Sequence, residues 1–181
     1  MPEVLRRTGG HPVKSIVFDE GQIAARVRQL GADITAAYPD GDLLVLGLLK
    51  GSFIFLGDLV RQIERPVTVD FLVATSYGAG TATSGDVRLA YDPATALTGK
   101  HILLVEDIID SGNTLKRLAA VLEARHPRSL AVCALLHKRL VDDVGAAVRF
   151  VGFDAPPAFL VGYGLDRAEN YRHLPFIADL A

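Results

Sequence analysis

The run LLVLGLL at 43–49 constrains the fold more than any other stretch of this chain. It holds no polar residue, so a strand made from it must be covered on both faces. HILLV at 101–105 and SLAVCALL at 129–136 repeat the pattern. Between these runs the apolar spacing changes. Over 19–37, Ile23, Val27, Leu30 and Ile34 recur three or four residues apart, and Asp19 followed by Gln22 predicts a capping box. SFIFLGDLVRQI at 52–63 has the same spacing at Leu56, Leu59, Val60 and Ile63, with Arg65-Pro66 expected to end the helix. A further helix is expected over about 113–125. VTVDFLVATSY at 67–77 reads as a strand. Strands alternating with helices predict an α/β fold with a mostly parallel sheet flanked by helices. The last segments, RFVGF, APPAFLVGYGLD, RAENYRHL and PFIADL, break the alternation. They read as a smaller subdomain over the carboxyl edge of the sheet.

A length of 181 residues fits a single domain, and half of the residues are hydrophobic, enough for a sizeable core. The formal net charge of -2 argues against a general nucleic-acid binder. Cys133, the single cysteine, lies in an apolar run without basic neighbours and reads as a small buried hydrophobe in a reducing compartment. The five histidines are scattered, which argues against a zinc or iron site. The apolar runs fall short of the ~20 residues that a spanning helix needs. TGGHP follows Arg6-Arg7 where a secretion signal would place its apolar stretch. These features predict a cytoplasmic protein that binds neither nucleic acid nor membrane.

VEDIIDSGNTL at 105–115 is the stretch that needs a chemical reason. Glu106 and Asp107 are adjacent carboxylates at the end of an apolar strand, where they repel each other. Asp110 follows, and then Ser111, Gly112, Asn113 and Thr114 lead into a helix. Such a loop lies at the carboxyl edge of the sheet, where open α/β folds bind ligands. Backbone N–H groups from Asp110 to Thr114 converge there into an anion site, and Gly112 lets the chain approach a phosphate closely. The two acids suit the hydroxyls of an attached sugar, or its metal ion. The plainer reading makes Asp110 a helix cap and Glu106-Asp107 a solvated loop. No Walker-type lysine is present, so a nucleoside-triphosphate loop does not fit.

VEDIIDSGNTL resembles the phosphoribosyl-diphosphate (PRPP) signature of type I phosphoribosyltransferases. LLKGSFIFLGDLV, SYGAGTATSGDVR, LLHKR and VGFDAPPAFLVGYGLDRAENYRHLPFI resemble further motifs of the hypoxanthine-guanine branch, in the same order. The resemblance covers nearly all of the chain beyond the first ten or so residues. It implies one phosphoribosyltransferase domain, with a core over about 19–145 and a small hood from about 1–18 and 146–181. It also implies residue roles. Glu106 and Asp107 would hold the ribose hydroxyls, and Asp110, Ser111, Gly112, Asn113 and Thr114 would cradle the 5′-phosphate. Asp110 would face N7 of the purine, either exchanging a proton with it or stabilising charge only. Lys50 and Gly51, after a cis peptide between Leu49 and Lys50, and Arg172 would bind pyrophosphate. Ser76 and Tyr77 would begin a lid, reaching to Asp86, that sheds water from the reaction. Lys138 would donate to the 6-oxygen of the base, since an ammonium has donors only. Phe159 would stack on the purine, the backbone of Leu160 would bond its edge, and Leu165 would wall the pocket. Glu106 and Asp107 would contact Mg²⁺, the implied cofactor, and Asp166 a second Mg²⁺.

Without the resemblance, Lys50 and Lys138 read as solvated lysines, Phe159 as core, and 77–86 as a flexible hairpin loop. With it, the expected activity is transfer of the phosphoribosyl group from PRPP to a 6-oxopurine base, hypoxanthine or guanine, in a homodimer or homotetramer. Two alternatives stay open: a xanthine-preferring enzyme, and a non-catalytic regulator that binds PRPP or nucleotides on the same fold. The second would carry a basic surface and could dispense with Asp110.

Overall fold

The computed structural model describes residues 2–76, 87–139 and 147–180. In chain order the elements are α1 (Pro2–Arg7), β1 (Val13–Phe18), α2 (Glu20–Ala37), β2 (Leu43–Leu49), α3 (Phe53–Val60), β3 (Thr68–Ser76) and β4 (Val87–Tyr91). Then come β5 (His101–Ile109), α4 (Asn113–Glu123), β6 (Ser129–His137), β7 (Val148–Asp154), β8 (Leu160–Val161) and β9 (Ile177–Leu180). Six strands form a large sheet in the order β4-β3-β2-β5-β6-β7. Its neighbours are parallel except for the antiparallel pair β3–β4. A small antiparallel sheet, β1-β9-β8, is built from the two ends of the described chain.

The apolar runs divide their side chains between the two faces of the large sheet, as a period of two requires. Leu43, Val45, Leu103, Val105 and Cys133 pack with Ile23, Val27, Leu30 and Ile34 of α2 and with Phe55, Leu56 and Leu59 of α3. Leu44, Leu46, Leu104 and Val132 pack with Leu115, Leu118 and Leu122 of α4 on the opposite face. Each such aliphatic side chain contributes about 1.5–3 kcal/mol when fully buried. The predicted capping box is present: Gln22 N donates to Asp19 Oδ1 at 2.8 Å and Asp19 N to Gln22 Oε1 at 2.9 Å.

Three expectations shift. α3 ends at Val60, ahead of Arg65-Pro66; the chain tightens into turns, with Gln62 N bonded to Leu59 O at 2.9 Å, and these still deliver Ile63 to the core. α4 ends at Glu123, and His126 (φ 53°) turns the chain toward β6. RFVGF, expected in the smaller subdomain beyond residue 145, is β7, the edge strand of the large sheet. Phe150 is buried against the α2 side, and the Arg26 guanidinium donates to the carbonyls of Val151 and Gly152 at 2.7 and 2.8 Å. Helix α2 thus fixes β7 in the large sheet, and the smaller sheet takes only β8 and β9 from the C-terminal part.

From β2 the chain runs outward through β3 and β4, then returns to β5 on the other side of β2 and continues to β6 and β7. The direction of progression reverses between β2 and β5. Such a switch point opens a crevice at the carboxyl ends of the two strands. Among the described residues no helix is long and apolar enough to cross a membrane.

Candidate functional site

The two loops that leave the switch point are Lys50–Ser52 after β2 and Asp110–Gly112 after β5. The Leu49–Lys50 peptide is cis. Ser52, fully buried, anchors the first loop by donating its Oγ proton to Leu48 O at 2.6 Å. Gly51 lies directly against the Asp107 carboxylate, and a Cβ at this position would overlap it.

Glu106 and Asp107 sit near the carboxyl end of β5 as the sequence places them. Glu106 Oε2 is buried and has no hydrogen-bond partner among the described residues. Burial, and then the adjacent charge of Asp107, push the Glu106 carboxyl well above its ordinary value near 4.5. Burial also raises Asp107, opposed by the backbone N–H of Ile108, which donates to its Oδ1 at 2.9 Å, and by the charge of Arg172. A buried acceptor without a partner costs about 1–3 kcal/mol. It has the chemistry of a group waiting for a hydroxyl or a cation.

The second loop turns into α4 at Gly112, whose φ of 73° lies in the left-handed region. No side chain caps this helix, so its first N–H groups stay free for an anion. Asp110, Ser111, Gly112, Asn113 and Thr114 line a cavity of about 160 Å³ there, with Glu106 on its wall. At the end of β6, Lys138 N donates to Ile109 O at 3.0 Å, and Lys138 Nζ reaches Asp110 Oδ2 at 3.1 Å. Lys138 is mostly buried, while Asp110 stays exposed.

A third cluster comes from the segment between β8 and β9. Arg172 donates to Gly164 O at 2.7 Å, pairs with Asp166 Oδ1 at 2.9 Å and with Glu169 Oε2 at 3.3 Å. Lys50 Nζ meets the same Glu169 oxygen at 3.1 Å. The Lys50 bond, with that of Arg172, holds the exposed Glu169 carboxyl below its usual range. Glu169 N donates to Asp166 Oδ2 at 2.9 Å.

The predicted residues therefore form two groups joined by β5. Lys50, Gly51, Asp107, Asp166 and Arg172 make one; Asp110 to Thr114 and Lys138 make the other. Leu160 and Leu165 are buried, whereas Phe159, just before β8, is 58% exposed. Ser76 ends β3; Tyr77 and the rest of the expected lid to Asp86 lie outside the described residues. Glu169 was not expected. Its only signal is a charge in RAENYRHL, and its partner Lys50 lies 119 residues away.

Among the described residues no three His, Cys, Asp or Glu side chains converge as a self-contained metal site. Glu106, Asp107 and Asp166 are nonetheless hard oxygen donors, and Glu106 has an unpartnered one. Glu106 faces the cavity before α4 and Asp107 faces Gly51, so the two do not share one cation; each suits a cation such as Mg²⁺ whose shell is completed by ligand oxygens and water.

The raised Glu106 carboxyl has a measurable consequence. Such a group keeps its proton in the folded chain at a pH where the unfolded chain has lost it, so stability falls as pH rises from about 4.5 through the folded-state value. Glu106→Gln removes this loss. In metal-free protein at about pH 7.5 the variant melts higher, by about 2–4 °C for each kcal/mol relieved. At about pH 4 the two proteins melt together. Thermal scans at both values check this; a variant that melts lower at neutral pH contradicts it.

An open helix N-terminus beside acids able to bind hydroxyls has the chemistry of a sugar-phosphate site, set at the switch point of a mostly parallel sheet. Residues 14–166 match the Phosphoribosyl transferase domain family, and the chain belongs to that family. It is similar to the hypoxanthine phosphoribosyltransferase of Salmonella typhimurium, 46% identical over 164 residues, which cover 90% of this chain and 92% of that one. The hypoxanthine-guanine phosphoribosyltransferase of Dictyostelium discoideum is 47% identical over 171 residues, 92% of this chain and 95% of its own. Among solved structures, a hypoxanthine-guanine phosphoribosyltransferase from Bacillus anthracis superposes with a TM-score of 0.86 at 42% identity, covering 94% of this chain and 100% of that one.

Proposed function

We propose that the protein is a purine-salvage enzyme that transfers the 5-phosphoribosyl group of PRPP to N9 of a 6-oxopurine, hypoxanthine and also guanine. The observation that carries this reading is the Lys138–Asp110 pair, 3.1 Å apart at the rim of the anion cavity. O6 and N7 are neighbours on one edge of a 6-oxopurine. Lys138 has three donors, so it can give one to O6 and keep Asp110 with another. Asp110 then faces N7. Phe159 supplies the stacking face, the backbone of Leu160 bonds the base edge, and Leu165 walls the pocket.

In the reaction N9 attacks C1′ and forms the glycosidic bond while the bond from C1′ to the pyrophosphate oxygen breaks. The base loses a proton, and Asp110 is placed to take it from N7. The ribose hydroxyls satisfy Glu106 and Asp107, and the N–H groups at the start of α4 hold the 5′-phosphate. Lys50, the Gly51 backbone and Arg172 meet the departing pyrophosphate, whose charge they neutralise. To bind it, Lys50 and Arg172 exchange Glu169 for phosphate oxygens. Glu106 and Asp107 would contact Mg²⁺ and Asp166 a second Mg²⁺, which would add charge neutralisation when bound. Ser76 and Tyr77 open the segment to which we assign the lid. We place the enzyme in the cytoplasm as a homodimer or homotetramer; the exposed Ile16, Phe53, Val69, Phe71 and Tyr91 offer apolar surface for self-association.

Selectivity for the 6-oxo group tests this reading. The wild-type protein should favour hypoxanthine over adenine by at least about 10³-fold in kcat/KM, because adenine presents a donor to a site built from donors. Gln at position 138 both donates and accepts. Lys138→Gln should therefore cut the ratio by about 10–100-fold, mainly by losing hypoxanthine. Steady-state kinetics with both bases checks it, and an unchanged ratio would remove Lys138 from base recognition.

A further inference from the structure

We propose that Asp58 and Tyr163 are positioning residues that set the pyrophosphate side of the site. The role presupposes the transferase reading above. Tyr163 is buried, and its hydroxyl donates to Asp58 Oδ2 at 2.7 Å. It stands in the left-handed region (φ 50°) between Gly162 (φ 101°) and Gly164 (φ 104°). An L-residue holds that conformation only where its surroundings fix it.

What Tyr163 holds is the contact of Gly164 with Gly51. A Cβ on Gly164 would overlap the Gly51 carbonyl, just as a Cβ on Gly162 would overlap that of Phe176. The backbone from 162 to 164 is thus wedged between the small sheet and the loop after β2. Gly164 in turn carries Arg172 through two bonds: its N–H donates to Arg172 O at 3.0 Å, and its carbonyl accepts from Arg172 Nη1 at 2.7 Å. Asp58 belongs to α3, which starts directly after Lys50–Ser52. The hydrogen bond therefore closes a ring: Gly51, α3, Asp58, Tyr163, Gly164 and back to Gly51. Lys50 and Gly51 lie on one side of this ring and Arg172 on the other.

Tyr163 also belongs to the core, but packing around the bond is incomplete. Asp58 and Tyr163 line two cavities, of about 230 and 290 Å³, so space remains for the ring to shift once the bond is lost. The 5′-phosphate cradle and Lys138 are attached to β5 and β6 and do not depend on the ring. The predicted defect is accordingly one-sided.

Tyr163→Phe should raise KM for PRPP and the inhibition constant of pyrophosphate by about tenfold, the scale expected for losing a hydrogen bond to a charged group. KM for hypoxanthine should change far less, within about threefold, because Lys138 and Asp110, which read O6 and N7, stay in place, and only the Leu165 wall, bonded to Gly162, adjoins the ring. Asp58→Leu should reproduce the effect. Asp58→Asn, which keeps an acceptor, should restore it. The double variant Tyr163→Phe/Asp58→Leu should be no worse than either single one, since both remove the same bond. Wild-type turnover of hypoxanthine is measured alongside and tests the transferase reading by itself. With an active wild type, loss of melting temperature without a selective change in the PRPP and pyrophosphate constants overturns the positioning role. So does additivity in the double variant.

Discussion

Asp110→Asn should lower kcat for hypoxanthine by about 10²–10⁴-fold, the usual worth of a positioned acid or base. The substitution keeps the shape of the side chain and leaves the N–H groups of the phosphate cradle untouched. KM for PRPP should therefore stay within about threefold. What changes is the proton. A carboxylate at N7 can take it as N9 bonds to C1′, whereas an amide cannot. Lys138, 3.1 Å from Asp110 Oδ2, also loses the charge that holds it. The size of the loss distinguishes the two roles open to this residue. If Asp110 accepts the proton, kcat falls by that full factor; if it only stabilises charge, kcat falls by less than about tenfold. Steady-state rates at saturating base and PRPP decide between them.

Gly51→Ala should be comparably severe for a steric reason. The new methyl group would overlap the Asp107 carboxylate. Asp107 is half-buried near the end of β5 and bonded to the N–H of Ile108, so it cannot swing aside without losing that bond. The loop after β2 must move instead, and it carries Lys50, the Gly51 N–H and the contact with Gly164. A misplacement near 1 Å costs about 10²-fold. We expect kcat/KM for PRPP to fall by at least that factor. Overpacking of this kind costs about 1–3 kcal/mol, so the variant still folds but melts several degrees lower. Kinetics together with a melting curve separates loop displacement from general unfolding; near-normal kcat/KM would show that the loop tolerates a side chain.

The parts of this molecule legible in the sequence are those fixed by local pattern. The apolar runs at 43–49, 101–105 and 129–136 became β2, β5 and β6 because a strand covered on both faces has no polar side to hide. Asp19 and Gln22 capped α2 because a capping box spans only four residues. VEDIIDSGNTL was legible as a strand, a turn and a helix N-terminus because the three are contiguous. What stayed illegible depends on residues distant in sequence. The placement of β7 in the large sheet turns on Arg26, 125 residues before Val151. The pairing of Glu169 with Lys50 and the contact of Gly164 with Gly51 join the two ends of the fold, and no periodicity marks them. The shorter α3 belongs to the same class, because turns after Val60 bury Ile63 as well as a longer helix would.

The most direct test of the account is a base panel. The wild-type protein is incubated with PRPP and Mg²⁺ and offered hypoxanthine, guanine, xanthine, adenine or uracil separately, with nucleotide and pyrophosphate both quantified. The account predicts turnover of 6-oxopurines, hypoxanthine among them, with one pyrophosphate released per nucleotide and none above background with adenine or uracil. Binding of PRPP without turnover of any base would contradict it, and would leave this site to a regulator that senses PRPP or nucleotides without transferring them.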